Sequence, residues 1–328
     1  MTDLTLRLAI QRITVLRPHE KLQLEEIVDS EAFFLALSAP LLSQIIGRRV
    51  SPLARLPEAL LRLAEYDQRI LTERGIVALH VNDRHYPAQL REIFDPPYLI
   101  FVRGELPEPG VPMVAIVGTR EPSAPASLAA RRLGRELAEA GIPVVSGLAR
   151  GIDVAAHQGA LAGGTTGAVL ACGADAVYPK GHRRVASQIL EHGGFLVSEY
   201  SPGVAPLKYH FPARNRIISG LARAVVVVQA PAKSGALITA DYALDHRRDL
   251  AVHAAGLEGT VGQGSKDLAA DGALIISSAA DVLAEWGVEP AAAASPVRGT
   301  GAPESVGAAA AGQIAQVRAL LETTESDV

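Results

Sequence analysis

The 328-residue sequence holds a single cysteine, Cys172. One thiol can form neither an internal disulfide nor a cysteine-based metal cluster, which excludes a disulfide scaffold and a zinc ribbon. Its setting in the apolar run AVLACGA marks it as a small core residue rather than a nucleophile. Aromatic residues are also scarce, at 4% of a chain that is 48% hydrophobic. Such a core must be built from Ala, Val, Leu and Ile, the composition of strands sandwiched between helices. A strong excess of one charge is missing too. A net charge of −4 does not attract nucleic acid in bulk, so any anionic partner must be met by a local basic patch. No purely apolar run reaches the roughly 18 residues of a membrane span. The start MTDLTLRLAI, with Asp3 and Arg7, lacks the basic and apolar regions of a signal peptide. These features lead us to expect a cytoplasmic protein with no membrane partner.

Residues 1–75 carry leucines at helical spacing, with Gly75 a plausible helix end, and are expected to form a small helical domain. Segments IVALH (76–80) and PPYLIFVRGEL (96–106) look extended and should add strands to the sheet that follows. From residue 112 short β-rich runs alternate with helical patterns as far as GALIISSAADVLAEWG. That rhythm implies right-handed βαβ units in an α/β fold with a doubly wound, mostly parallel, Rossmann-like sheet over 76–288. Residues 289–312, rich in Ala, Gly, Pro and Ser, lack the large apolar groups needed to pack and read as a linker. QIAQVRALLETTESDV (313–328) could form one amphipathic helix, the stub of a further module.

In a doubly wound sheet ligands bind beyond the carboxyl ends of the strands. Three strand-to-helix turns fit that position: AIVGTR (115–120), VVSGLARGID (144–153) and VVQAPAKSGALITA (227–240). Each places glycine and hydroxyl residues where free backbone N–H groups and the helix dipole favour an anion. Gly118, Gly147, Gly151 and Gly235 would let main-chain amides approach phosphate. Thr119, Ser146, Ser234 and Thr239 could donate hydroxyls, and Arg120 and Arg150 could grip phosphate oxygens bidentately. For any one loop, glycine serving only to turn the chain is an equally good explanation; the three together favour a site. A nicotinamide site fits poorly, because GTREPS replaces GxGxxG and no acid ends the second strand.

From Tyr200 to Ala240 there is no Asp or Glu, whereas Lys208, Arg214, Arg216, Arg223 and Lys233 all lie there, interleaved with Tyr209 and Phe211. Cations for the backbone and aromatic faces for the bases are what a single-strand groove requires. The plainer reading is a helix whose arginines neutralise acidic neighbours and whose Phe211 enters the core. Asp153 and His157, four residues apart, share a helix face. Asp153 suits a helix N-cap, and two ligands make a poor metal site. Other histidines show no ligand spacing and no nucleophile elbow occurs, so neither metal nor catalytic residue is assigned, and no cofactor.

Taken in order, AIVGTR, VVSGLARGIDVAAHQGAL, YPKGHRR, GGFLVSEY, FPARNRIISGLA and SGALITADYAL closely resemble the DNA-processing protein A family (DprA, also called Smf). The resemblance spans about 76–276, and the helical N-terminus resembles that family's sterile-alpha-motif-like (SAM-like) domain. It implies a non-enzymatic protein of natural transformation that binds and shields incoming single-stranded DNA and helps load the recombinase RecA. It also implies a homodimer formed through the Rossmann domains. Matched by motif, Gly118, Arg120 and Arg150 would sit at a phosphate pocket. Lys208 and Phe211 would meet backbone and base, with Arg214, Asn215 and Arg216 beside them. Three positions depart from the pattern: Gln229 stands where Glu is usual, HAAG (253–256) replaces a proline-glycine, and Lys266 replaces an asparagine. The family's frequent winged-helix domain is absent or reduced to the stub. The rival reading is a Rossmann-like nucleoside monophosphate phosphoribohydrolase, for which Glu199 is the best catalytic carboxylate.

Overall fold

The alternation of strands and helices expected from residue 112 onward is present in the computed structural model, which describes residues 4–288. The expected linker and helical stub lie outside the described residues. The chain opens with five helices: α1 Leu4–Gln11, α2 Pro18–Ile27, α3 Glu31–Leu35, α4 Ala39–Ile46 and α5 Pro57–Arg74. Pro57 starts α5, where its missing N–H is harmless, and Gly75 ends it in the left-handed region at φ +60°. Strand β1 (Ile76–His80) begins immediately afterwards, followed by α6 (Ala88–Arg91) and β2 (Leu99–Gly104).

The remaining elements alternate: β3 Val114–Val117, α7 Ala124–Glu139, β4 Val144–Ser146, α8 Ile152–Ala160, β5 Thr166–Val169, α9 Arg183–Glu191 and β6 Phe195–Ser198. Then come α10 His210–Leu221, β7 Ala224–Val227, α11 Gly235–Asp245, β8 Asp249–His253, α12 Gln263–Ala270, β9 Leu274–Ile276 and α13 Ala279–Glu285. Together with β1 and β2 their strands form one nine-stranded sheet in the order β1-β2-β6-β5-β4-β3-β7-β8-β9. All pairs from β6 to β9 are parallel, and β1 and β2 extend the β6 edge antiparallel. The extended segments before residue 112 do therefore add strands to the main sheet.

Strand periodicity explains the layers. Val114 and Ile116 face the helices α7, α8 and α13, whereas Ala115 and Val117 face α10 and α11. The small residues of α8 have a packing cause. A Cβ on Gly159 would lie 1.8 Å from the Arg131 carbonyl oxygen, and one on Gly134 2.4 Å from that of Ala156, so α7 and α8 touch backbone to backbone. Cys172 is buried in a small aliphatic cluster, as its setting implied. The N-terminal helices share their core with the sheet's edge: Leu8, Ile10 and Leu24 pack with Tyr98, Leu99 and Phe101. From β3 the chain winds one way through β4, β5 and β6, and from β7 the other way through β8 and β9. The switch point lies between β3 and β7, whose register pairs Val117 with Val227, and there a crevice opens at the carboxyl ends.

Candidate nucleic-acid interface

The three glycine-bearing turns meet at that crevice. The Thr119 amide donates to the Gln229 carbonyl at 2.7 Å, and the Ile152 amide to the Thr119 carbonyl at 3.2 Å, so the ends of β3, β4 and β7 are stitched together. Glycine is required at two of the joints. A Cβ on Gly118 would meet Ile152 at 2.5 Å, and one on Gly151, which holds φ +80°, would lie 2.3 Å from the Thr119 oxygen. Leu148, between them, adopts φ 57°, an uncommon backbone state for a non-glycine residue that the surroundings must enforce. His182 contributes by placing Nδ1 2.8 Å from the Leu148 carbonyl.

The result is a cleft of about 680 Å³. Gly118, Thr119, Arg120, Lys208, Phe211, Arg214, Asn215, Ser234 and Gly235 line it, all of them singled out from sequence. Arg120 and Lys208 are exposed, and Lys233 adds a third exposed cation. Asn215 donates to the Gly235 carbonyl at 3.1 Å, tying α10 to the start of α11. Ser234 is the N-cap of α11, its hydroxyl accepting from the Ala236 amide. The amides at the start of α11 therefore open into the cleft, the arrangement that favours an anion.

Five assignments need correcting, and Gly151 is one: it packs against the Thr119 carbonyl and does not line the cleft. Ser146 is fully buried and its hydroxyl donates to the Ile116 carbonyl at 2.6 Å, so it faces the sheet and not the cleft. Gly147 is buried against the Arg214 guanidinium and does not line the cleft. Arg150 is exposed but likewise lies outside the lining residues. Arg216 leaves on the other side of α10, where it binds Glu199 at 2.5 Å and lies 3.6 Å from Asp95. A helix explains the last correction: Arg214 and Arg216 are two residues apart and cannot share a face.

Arg214 is a buried cation beneath the cleft rather than an exposed contact. Its guanidinium donates to the carbonyls of Gly147, at 2.9 Å, and Val169. Burial draws its pKa down to about 10 while Asp153 opposes the shift. Asp153 is the one carboxylate among the described residues lining the cleft. It is not the N-cap, a position held by Gly151. Its Oδ2 instead accepts the loop amides of Gly147, at 3.1 Å, and Ala149, at 3.3 Å. Burial pushes its carboxyl upward, and Arg214 works against that. His157 is buried, with Nδ1 2.8 Å from the Thr166 hydroxyl, and burial depresses its pKa to about 3. Packing, not chemistry, accounts for that residue.

Sequence reasoning missed Tyr178. Its ring meets Phe211 edge to face at 5.6 Å, while the Arg120 guanidinium lies 5.6 Å from the same ring. Tyr178 lies in the loop between β5 and α9, and an exposed aromatic beside the basic run KGHRR was the available signal. Gln229 also gains a role. Its Oε1 accepts the Ser123 amide at 2.8 Å and its Nε2 donates to the Ser123 hydroxyl at 3.2 Å, bracing the N-terminus of α7.

Comparison with known proteins fits this geometry. The chain is 44% identical over 206 residues to DNA processing protein DprA of Streptococcus pneumoniae, covering 62% of this chain and 72% of that one. A crystal structure of the S. pneumoniae protein superposes with a TM-score of 0.69 at 33% identity, over 87% of this chain and 98% of the other. A structure of DNA processing protein A from Helicobacter pylori, described for its single-stranded DNA binding mode, matches with a TM-score of 0.57 at 30% identity. It covers 64% of this chain and 94% of that one. The family model described as DNA recombination-mediator protein A matches residues 77–287, the whole sheet from β1 to α13, and the chain belongs to that family.

Proposed function

We propose that the chain is a single-stranded-DNA-binding protein of natural transformation, and that the strand lies in the cleft at the switch point of the sheet. The observation that carries this reading is the cleft itself. Glycine-built turns, the amides of a helix start, three exposed cations and the facing rings of Phe211 and Tyr178 all open onto one space. Cations supply sequence-independent affinity for phosphate, and aromatic faces accept any base. Gly118, Thr119, Arg120, Lys208, Phe211, Asn215, Ser234 and Gly235 contact the strand in this reading, with Arg214 and Gly151 shaping the floor. The H. pylori relative's single-strand binding supports it.

The same proposal assigns residues 1–75 to a SAM-like domain and residues 76–288 to the strand-binding domain. It has the protein shield the strand and pass it to RecA, which the family's description as a recombination mediator supports. A homodimer through the sheet domain is part of it. Ile238 and Leu244 of α11 and Leu274 and Ile275 of β9 are exposed apolar groups suited to such a contact, whereas Ile217, Ile218 and Leu221 of α10 are buried in the core. Among the described residues no helix is long and apolar enough to cross a membrane. The role is binding rather than catalysis. Glu199, the carboxylate a phosphoribohydrolase would need, pairs with Arg216 away from this cleft, and Asp153 is held by loop amides.

Gel retardation of matched single and double strands at two salt concentrations tests the reading. Preferential retention of the single strand is expected, with log affinity falling against log salt at about 0.7 per phosphate neutralised. Equal retention of duplex, or release of free base from nucleotide, would contradict it.

A further inference from the structure

A second cleft, of about 560 Å³, opens between the N-terminal helices and the sheet, a volume typical of small-ligand sites. Segment 207–211 divides it from the strand cleft and contributes to both. Lys208 and Phe211 line the strand cleft, whereas Leu207, Tyr209 and His210 line the second.

Arg216 forms one wall of this second cleft and is only 9% exposed. Its Nη2 donates to Glu199 and its Nε lies near Asp95, but Nη1 is buried without an acceptor. Lys21, also buried, directs Nζ to the main-chain and side-chain oxygens of Gln11, at 2.8 and 2.9 Å, which occupies two of its three donors. Facing these polar groups is an aromatic ladder. Tyr200 stacks on His210 at 3.9 Å, and Tyr209, 67% exposed, meets His210 edge on at 4.6 Å.

A simple anion would meet Glu199 and Asp95, and a purely apolar ligand would face the exposed Thr14 and Arg55 among the lining residues. A planar heterocycle with donors and acceptors on its edge and a π-face for stacking suits both. We propose that the interdomain cleft is a nucleobase site, with the exposed Tyr209 as its stacking platform. The site rests on the strand-binding reading and adds to it: a strand crossing segment 207–211 can place one base beyond the phosphate-gripping cleft.

The test is photocrosslinking of the full chain with two probes, a short oligothymidylate carrying 5-iodouracil and free 5-iodo-deoxyuridine monophosphate, with the sites mapped by mass spectrometry. Ala54 is exposed at the lip of this cleft, so Ala54→Trp should fill it without disturbing a buried group. Tyr209→Ala removes the platform. The oligonucleotide is expected to crosslink at Tyr209 or Tyr200 as well as at Phe211 or Tyr178. Ala54→Trp should lower the first pair at least tenfold and spare the second. Crosslinking of Tyr209 by the mononucleotide alone would still assign a nucleobase site, supplied by free nucleotide instead of the strand. Crosslinks confined to Phe211 and Tyr178 with both probes, or a Tyr209 signal unchanged by Ala54→Trp, would overturn the site. Loss of every crosslink, those at Phe211 and Tyr178 included, would overturn the strand-binding reading and this site with it.

Discussion

The Arg120 guanidinium lies 5.6 Å from the centre of the Phe211 ring, so the turn after β3 and the first turn of α10 meet across the cleft. A cation and an aromatic face held this way present charge and a stacking surface to the same nucleotide. Replacing Phe211 by Ala is expected to weaken single-strand binding by about 1–3 kcal/mol, roughly 5- to 150-fold in Kd. Fluorescence anisotropy checks this, with little change in Tm because the ring is only half-buried. Tyr178→Ala should act in the same direction.

Arg120 and Lys208 carry charge rather than structure, since both are exposed. Changing either to Gln should reduce the slope of log affinity against log salt by about 0.7. The check is a salt titration of each variant beside the parent, and an unchanged slope would remove that side chain from the interface.

Gly151 marks where backbone geometry limits substitution. At φ +80°, with the Thr119 oxygen 2.3 Å from where a Cβ would sit, Gly151→Ala must displace one of the stitched turns. We expect more than about 1 kcal/mol of lost stability, read by denaturant unfolding, together with weaker strand binding. Gly181→Ala, which meets nothing within 4 Å, is the control and should change neither.

His157 gives a pH signature. Its folded-state pKa is depressed to about 3 by burial, from an ordinary value of 6.5. Between those values the unfolded chain binds the proton and the folded chain does not, so this residue favours unfolding progressively as pH falls from about 6.5 toward 3. Above 6.5 it contributes no pH dependence. Unfolding midpoints across that range should fall less steeply for His157→Gln than for the parent; parallel curves would argue against a buried neutral imidazole.

Much of the architecture was legible because it follows from period and punctuation. Short Val-rich runs between amphipathic helices gave the parallel sheet, and three glycine-bearing strand ends pointed to one crevice. What could not be read was which way individual side chains turn. Arg214 and Arg216 look equivalent in RNR, yet α10 aims one beneath the strand cleft and the other at Glu199 and Asp95. Asp153 fits the preferences of an N-cap, but the left-handed turn at Gly151 places its carboxylate under the loop amides instead. Tyr178 reaches Phe211 only through tertiary folding, and no local spacing announces a contact between residues so far apart in the chain.

The most direct measurement is the affinity of oligothymidylate for the double variant Arg120→Glu/Lys208→Glu, compared with the parent by anisotropy at the same salt, with circular dichroism to verify folding. Two charge reversals on the cleft should abolish binding while leaving the spectrum and Tm unchanged. Parental affinity in a folded double variant would show that the strand is held somewhere other than the crevice between β3 and β7.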